Sequence, residues 1–206
     1  MRFALLVARL APQAFVFENV EGVRFSKAYA EARRYWREAG YGLTEVVLDA
    51  AFYGVPQRRR RFFAIGIRRA EDGLLAPHLE RRASPRPLTL REYAGDRLPF
   101  QYYYRHPRNY ERRGIFSVDE PAPTVRGTNR PLPPGYRKHP KDPVAPFPGL
   151  RAMTPEERAL VQTFPEGWRW PGTKSQVELL VGNAVPPQLA FHVASALREV
   201  LESLVP

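Results

Sequence analysis

Apolar positions recur along the first seventy residues with two different periods, and the switches between them mark out the elements. Phe3, Leu6, Val7 and Leu10 fall at i, i+3, i+4 and i+7, which predicts an amphipathic helix over residues 2–10. Ala11-Pro12 breaks it. Residues 14–17 (AFVF) are a continuous apolar run, the pattern of a parallel strand covered on both faces. A second helix is expected from an N-cap at Ser26 through Tyr29, Ala32, Trp36 and Ala39 to Gly40. Residues 43–49 (LTEVVLD) alternate, and residues 61–67 (RFFAIGI) form another apolar strand. The order is helix–strand–helix–strand–loop–strand, an α/β arrangement.

Periodicity then fades. From about Ala70 to Leu150 proline, arginine and tyrosine dominate, which suggests a small loop-rich region with a few short strands. Tyr102-Tyr103-Tyr104 followed by Arg105, His106 and Arg108 interleaves aromatics with charge, as suits phosphate contact and base stacking. A solvated proline-rich insertion with structural tyrosines is the alternative. Thr154-Pro155-Glu156-Glu157 is a capping box with proline at the first helical position, starting a helix expected to end near Phe164-Pro165. Val181 to Pro187 (VGNAVPP) reads as a turn with free amides before a last helix, whose Leu189, Val193, Leu197, Val200 and Leu204 share a face. Read alone, a plain helix start is the favoured explanation of that turn.

Composition narrows the classes. A length of 206 residues suits one or two domains with a real core. The net charge of +11 is nearly all arginine, with only four lysines, and arginine is suited to bidentate contact with phosphate and guanine. A nucleic-acid partner leads; arginine-rich usage in a high-temperature or GC-rich source is the competing explanation. No cysteine is present, which excludes disulfides, a thiolate nucleophile and cysteine-ligated metal within these residues. His78, His106, His139 and His192 show no metal-ligand spacing, so no metal is expected. No apolar run approaches the roughly 18 residues of a membrane span, and no cleavage site follows the opening MRFALLVARLA. A soluble cytoplasmic protein associated with the nucleoid is the expectation.

Two runs carry the candidate chemistry. Glu18-Asn19-Val20 follows the first strand, where open α/β sheets place their ligands. Gly54 to Arg61 (GVPQRRRR) lies between the next two strands. A carboxyl and a guanidinium fork converging on one pocket can recognise and partly protonate a flat polar heterocycle such as a nucleobase. Glu18 read alone is also a plain strand-end carboxylate paired with an arginine. Strand alternation puts Gln57, Arg59 and Arg61 on one face and turns Arg58 and Arg60 away.

FVFENV (15–20), YGVPQRRRR (53–61), LRAMTPEERALVQTFP (150–165) and VGNAVPPQLA (181–190), in that order, resemble the carboxyl-terminal part of the C5-cytosine DNA methyltransferases. DEPAPTV (119–125) adds a weaker match. The resemblance covers essentially the whole chain. It implies part of a doubly wound, Rossmann-like methyltransferase domain that uses S-adenosylmethionine, with a small target-recognition domain and double-stranded DNA as partner. The corresponding segments are 1–70 for the later part of the catalytic domain, 71–150 for target recognition, and 151–206 for a support helix and a returning C-terminal helix. A role in restriction-modification is one setting for such an enzyme.

In this family a cysteine thiolate adds to C6 of a flipped cytosine, and the resulting enamine takes the methyl group at C5. By resemblance, Glu18 protonates or hydrogen-bonds N3, Arg61 serves O2, and Arg59 sits beside the thiolate and a phosphate. Asn19 steadies the nucleophile loop, and Thr124 holds the phosphate of the flipped nucleotide. Gln57, Arg105, Arg108 and Arg126 are further DNA-contact candidates, joined by Arg112 and Arg113. Arg151 organises the recognition region. Asn183 and Ala184 line one wall of the cofactor pocket, although Leu180 stands where the family usually has glutamine. All positions between the matched arginines are arginine here, where the family usually has an acidic or neutral residue.

Neither the family's glycine-rich first motif nor its Pro-Cys-Gln loop occurs in these residues. The expectation is a chain that begins within the fold and methylates only with a second chain supplying the cysteine and most of the cofactor site. A truncated gene product and a catalytically inactive DNA-binding remnant are the alternatives.

Overall fold

The computed structural model describes residues 2–109 and 111–204. It divides into two compact units: Met1–Asp49, Arg60–Ala83 and Phe191–Pro206 in the first, Ala50–Arg59 and Ser84–Ala190 in the second. Each unit is discontinuous in sequence, so the units cut across the segments 1–70, 71–150 and 151–206.

The first unit holds α1 (Arg2–Leu10), β1 (Ala14–Asn19), α2 (Lys27–Glu38) and β2 (Tyr41–Asp49). Beyond the two-residue β3 (Gln57–Arg58) of the second unit comes β4 (Arg60–Arg68). The sheet order is β1-β4-β2, and β4 runs antiparallel to both neighbours. The expectation of a parallel strand covered on both faces at residues 14–17 is corrected in two respects. Phe15 is buried beneath the helices, but Val16 on the opposite face is 40% exposed, and the hydrogen-bonded partner of β1 is antiparallel.

One face of the sheet carries an aromatic core. Trp36 is wholly buried, and its ring centroid lies 4.7 Å from that of Phe15. Tyr29, Tyr41, Leu43, Phe62 and Ala64 complete the cluster with Ala4 and Val7. Gly66 is required opposite Phe15, because a Cβ there would stand 2.1 Å from the Phe15 ring. Ser26 caps α2 by accepting the Tyr29 N–H at 3.1 Å, as its sequence position predicts. Only part of the stripe expected on α1 is buried. The helix presents its small Ala4 and Val7 inward and leaves Leu6 and Leu10 mostly exposed, while Phe3 meets Phe15 and Trp36 edgewise and Phe17 at a tilt.

On the other face Phe63, Ile65 and Ile67 of β4 are buried. Past β4 the chain forms α3 (Ala76–Glu80), where the Leu75 N–H donates to Thr44 Oγ1 at 3.1 Å. Arg82 and His78 both pair with Glu199 of the last helix.

The second unit is built from shorter pieces. They are α4 (Leu90–Ala94), β5 (Tyr102–Tyr104), β6 (Ile115–Ser117), β7 (Ala122–Pro123), α5 (Pro155–Val161) and α6 (Lys174–Asn183). β5 pairs antiparallel with β6, and β3 pairs parallel with β7. Capping boxes start α4 at Thr89, α5 at Thr154 and α6 at Thr173. Their apolar sides meet in one cluster that includes Leu90, Tyr103, Phe116, Val125, Val161 and Val181. Where regular pairing ends, side chains take over. The buried Asp142 carboxylate accepts the N–H groups of Gly114, Ile115 and His139 and the Tyr136 hydroxyl, at 2.8 to 3.0 Å.

Helix α5 stops at Val161, short of Phe164, and Thr163 takes a left-handed φ of 65°. The chain closes with α7 (Pro187–Ser203), which buries Leu189, Val193, Ala196 and Val200, while Leu204 lies beyond its end. No helix among the described residues is long and apolar enough to cross a membrane.

Candidate functional site

In the first unit, Glu18 and Arg61 come together through strand register. Glu18 of β1 stands opposite Phe63 of β4, and Arg61 lies two residues earlier on the same face. The Arg61 Nε is 3.1 Å from Glu18 Oε1, and the two side chains are only 14% and 24% exposed. Burial lowers the Arg61 pKa, and the Glu18 charge opposes that shift. The contact therefore sits in a partly dry setting. Next to it the Asn19 Oδ1 accepts the Val20 N–H at 2.8 Å, which turns the chain as it leaves β1. Arg60 points the other way and meets Glu21 at 2.9 Å on the surface.

In the second unit, Arg59 is 1% exposed and its guanidinium binds backbone. Nη1 donates to the Val125 carbonyl at 3.0 Å, and Nη2 donates to the carbonyls of Gly182 and Ala184, both at 2.9 Å. The last two carbonyls lie at the C-terminal end of α6, where the helix dipole favours a cation. Gln57 is fully buried within an amide relay. Its Oε1 accepts the Val125 N–H at 2.8 Å, its Nε2 donates to Gln162 Oε1 at 3.0 Å, and Gln162 Nε2 donates to the Val181 carbonyl at 2.6 Å. Gln57, expected to contact DNA, is enclosed here, with 0% exposure and both ends of its amide bonded.

Thr124 is partly exposed, and its hydroxyl donates to the Arg58 carbonyl at 2.7 Å. A hydroxyl so bonded retains acceptor capacity but has committed its proton. Arg105 turns inward: Nη2 donates to the Thr124 carbonyl at 2.8 Å, and burial with neighbouring Arg126 pushes its pKa down to about 10. Arg126 donates to the His106 carbonyl, and burial lowers its pKa too. Arg108 is exposed. Arg112 is also exposed, whereas Arg113 pairs with Glu120 and lies over the Phe116 ring. Arg151 forms a two-pronged pair with Glu157 at 2.6 and 2.7 Å and lies over the Phe100 ring, so it braces the start of α5.

The turn expected at Gly182-Asn183 is the end of α6. Its amides are engaged, with Ala184 N–H bonded to the Leu180 carbonyl at 3.0 Å. The signal for α6 was present as Thr173-x-x-Gln176, but the VELLV run after it does not separate helix from strand. Gly182 is needed because a Cβ would lie 2.1 Å from the Gly127 nitrogen, so α6 touches backbone there. This bears on a nucleoside cofactor. The free amides that would hold one are spent within the helix, and only the exposed Asn183 side chain remains for that wall. The described residues do not by themselves fit a complete S-adenosylmethionine site. Arg158 of α5, Gln162 just past its end and Gln176 of α6 are structural polar residues that the motifs did not single out.

These features coincide with a family-wide match. The profile of the C-5 cytosine-specific DNA methylases matches residues 1–199, and the chain belongs to that family. Type II methyltransferase M.HindV of Haemophilus influenzae is 47% identical over 196 residues, covering 95% of this chain and 64% of that protein. M.HgiDI of Herpetosiphon aurantiacus is 48% identical over 199 residues, covering 97% and 64%. The chain thus spans about 64% of the length of these curated relatives. Among solved structures, S. pombe Dnmt2 methyltransferase superposes with a TM-score of 0.64 at 20% identity, covering 92% of this chain and 68% of that one. A putative DNA modification methyltransferase encoded within an E. coli prophage gives the same TM-score and identity over 97% and 73%. These likenesses establish an α/β fold shared with methyltransferases.

Proposed function

We propose that this chain is the cytosine-handling and DNA-binding portion of a DNA (cytosine-5-)-methyltransferase that works with S-adenosylmethionine in a restriction-modification setting in the bacterial cytoplasm. The observation that carries this is the Glu18–Arg61 pair, held at 3.1 Å between half-buried side chains on adjacent strands of a chain in this family. When a flipped cytosine enters, Glu18 exchanges its Arg61 contact for the ring N3, picks up a proton from solvent and delivers it to N3 as C6 is attacked. Arg61 then directs an N–H at O2, where negative charge develops. Arg59 acts by fixing the backbone at Val125, Gly182 and Ala184 and so positions the segment carrying Thr124. Thr124 and Arg108 contact phosphate, with base flipping costing about a few kcal/mol. S-adenosylmethionine supplies the methyl group, and Asn183 is the residue here that borders it.

The 206 residues contain no cysteine. The nucleophile and most of the cofactor site are therefore supplied by residues outside these 206 in our reading. Residues 1–70 correspond to later elements of a doubly wound methyltransferase domain, and 71–150 to target recognition. The same absence favours a second reading, a DNA-binding protein without catalysis.

The test is to combine the chain with a polypeptide carrying the family's cysteine loop and glycine-rich motif, then measure C5 methylation of duplex DNA. Activity that falls at least a hundredfold in Glu18→Gln supports the proposal. Activity that Glu18→Gln leaves unchanged overturns the role of the pair. DNA binding by the chain without any methylation in the combination supports the second reading.

A further inference from the structure

A cavity inside the second unit collects more positive charge than the chain neutralises. Arg105, Arg126 and Arg158 line it together with Tyr103, Asn129 and Thr128. One carboxylate, Glu178, stands 3.6 Å from Arg158 Nη1, beyond hydrogen-bond reach, and it also accepts from Asn129 Nδ2 at 3.1 Å. Three guanidinium groups thus share one carboxylate.

The donors are also unmatched. Tyr103 is 3% exposed and Arg158 is 5% exposed. The Tyr103 hydroxyl, Arg158 Nη1 and Arg126 Nε are buried and have no hydrogen-bond acceptor in the chain. Buried donors of this kind are rare and costly in proteins, and three around one cavity is an arrangement that an acceptor resolves. The cavity measures about 30 Å³, room for one or two water-sized atoms. That size admits one or two oxygens of an oxyanion entering from the mouth. A water molecule can accept only about two hydrogen bonds and brings no charge, so it leaves the excess positive charge in place.

We infer that Tyr103, Arg126 and Arg158, backed by Arg105, form a binding pocket for the oxygens of a phosphate group. The phosphate is either a free ion or a phosphodiester of duplex DNA; the DNA source alone rests on the function proposed above. Burial holds Arg105, Arg126 and Arg158 below their ordinary pKa, repulsion from neighbouring arginines adds to the shift of each, Glu178 opposes it at Arg158, and a bound anion relieves that repulsion. Arg105 and Arg126 on this reading are pocket walls, not readers of base edges.

Tyr103→Phe tests the pocket because it deletes one orphaned hydroxyl and keeps the ring, which stacks with Phe116 at 5.9 Å. Melting temperature is measured for both proteins in inorganic phosphate and in a non-coordinating buffer of equal ionic strength, and affinity for a short duplex is measured at fixed salt. Without phosphate, Tyr103→Phe should melt at the same or a higher temperature than the parent.

If the ion is free phosphate, phosphate should raise the melting temperature of the parent, and Tyr103→Phe should weaken that response on the order of tenfold in phosphate concentration. If the source is DNA, inorganic phosphate should leave melting unchanged and the variant should bind duplex on the order of tenfold more weakly. A melting temperature insensitive to phosphate, together with duplex affinity equal in both proteins, overturns the pocket. Because the phosphate arm needs no DNA and no methylation, its outcome is independent of whether the proposed enzymatic function holds.

Discussion

The two units stabilise their chains by different means. In the first, a three-stranded sheet and two helices bury a continuous aromatic layer around Trp36, and polar side chains act mainly at its edges. In the second, strands are two or three residues long and the backbone is held by buried polar side chains: Gln57, Arg59, Asp142 and Gln162. A sheet satisfies its own backbone groups, so its side chains are free to be apolar. A loop-rich unit has to satisfy backbone groups individually, and each such side chain becomes indispensable at its own position.

That contrast predicts which substitutions matter. The largest effect is expected in the first unit from Trp36→Ala, which removes a wholly buried indole and leaves a cavity. It should cost about 4 kcal/mol in chemical unfolding. Nearly as large is Arg59→Met in the second unit, which strips the donors from two buried carbonyls and one part-buried one and should cost about 3 kcal/mol. Arg59→Lys should recover only part, since an ammonium lacks the planar fork that reaches Val125, Gly182 and Ala184 together. If Arg59→Met proved neutral, the polar-brace account of the second unit would fail.

Asp142→Ala comes next. It releases the N–H groups of Gly114, Ile115 and His139 and the Tyr136 hydroxyl, and should cost about 2 kcal/mol. Hydrogen exchange should locate the loss at Gly114 and Ile115. Uniform loss of protection across the second unit would instead mean that Asp142 supports the whole core.

Legibility in the sequence follows the same division. The order of elements through residue 68 could be read from periodicity because burial there is periodic: Tyr29, Ala32 and Trp36 face one way at helical spacing. The exposure of Leu6 and Leu10 was not readable, since a pattern names an apolar face without saying how much of it a neighbour covers. In the second unit, α5 announced itself by its capping box, whereas α6 was hidden behind a run that suits either helix or strand.

The candidate site divides similarly. Alternation along Gln57, Arg59 and Arg61 correctly separates inward from outward side chains, because it needs only the local period. It does not separate the Arg61 that pairs with Glu18 from the Gln57 sealed in an amide relay. That difference is made by Val125 and Gln162, which lie 68 and 105 residues away in sequence.

The smallest effect lies at the edge of the first unit and depends on pH. The Leu43 N–H bond and the Arg37 guanidinium both hold the Asp72 carboxyl below its ordinary pKa. A carboxyl depressed in the folded state adds stability above its unfolded pKa, because the unfolded chain binds the proton first as acid is added. This contribution should therefore shrink as pH falls below the ordinary aspartate value and vanish once pH has passed through the lowered one. Asp72→Asn should flatten that part of the acid-unfolding curve and leave stability at neutral pH slightly reduced. The side chain is 49% exposed, so solvent screens much of the gain and the change should be modest. An acid limb as steep in Asp72→Asn as in the parent would assign the acid sensitivity of this unit to carboxylates other than Asp72.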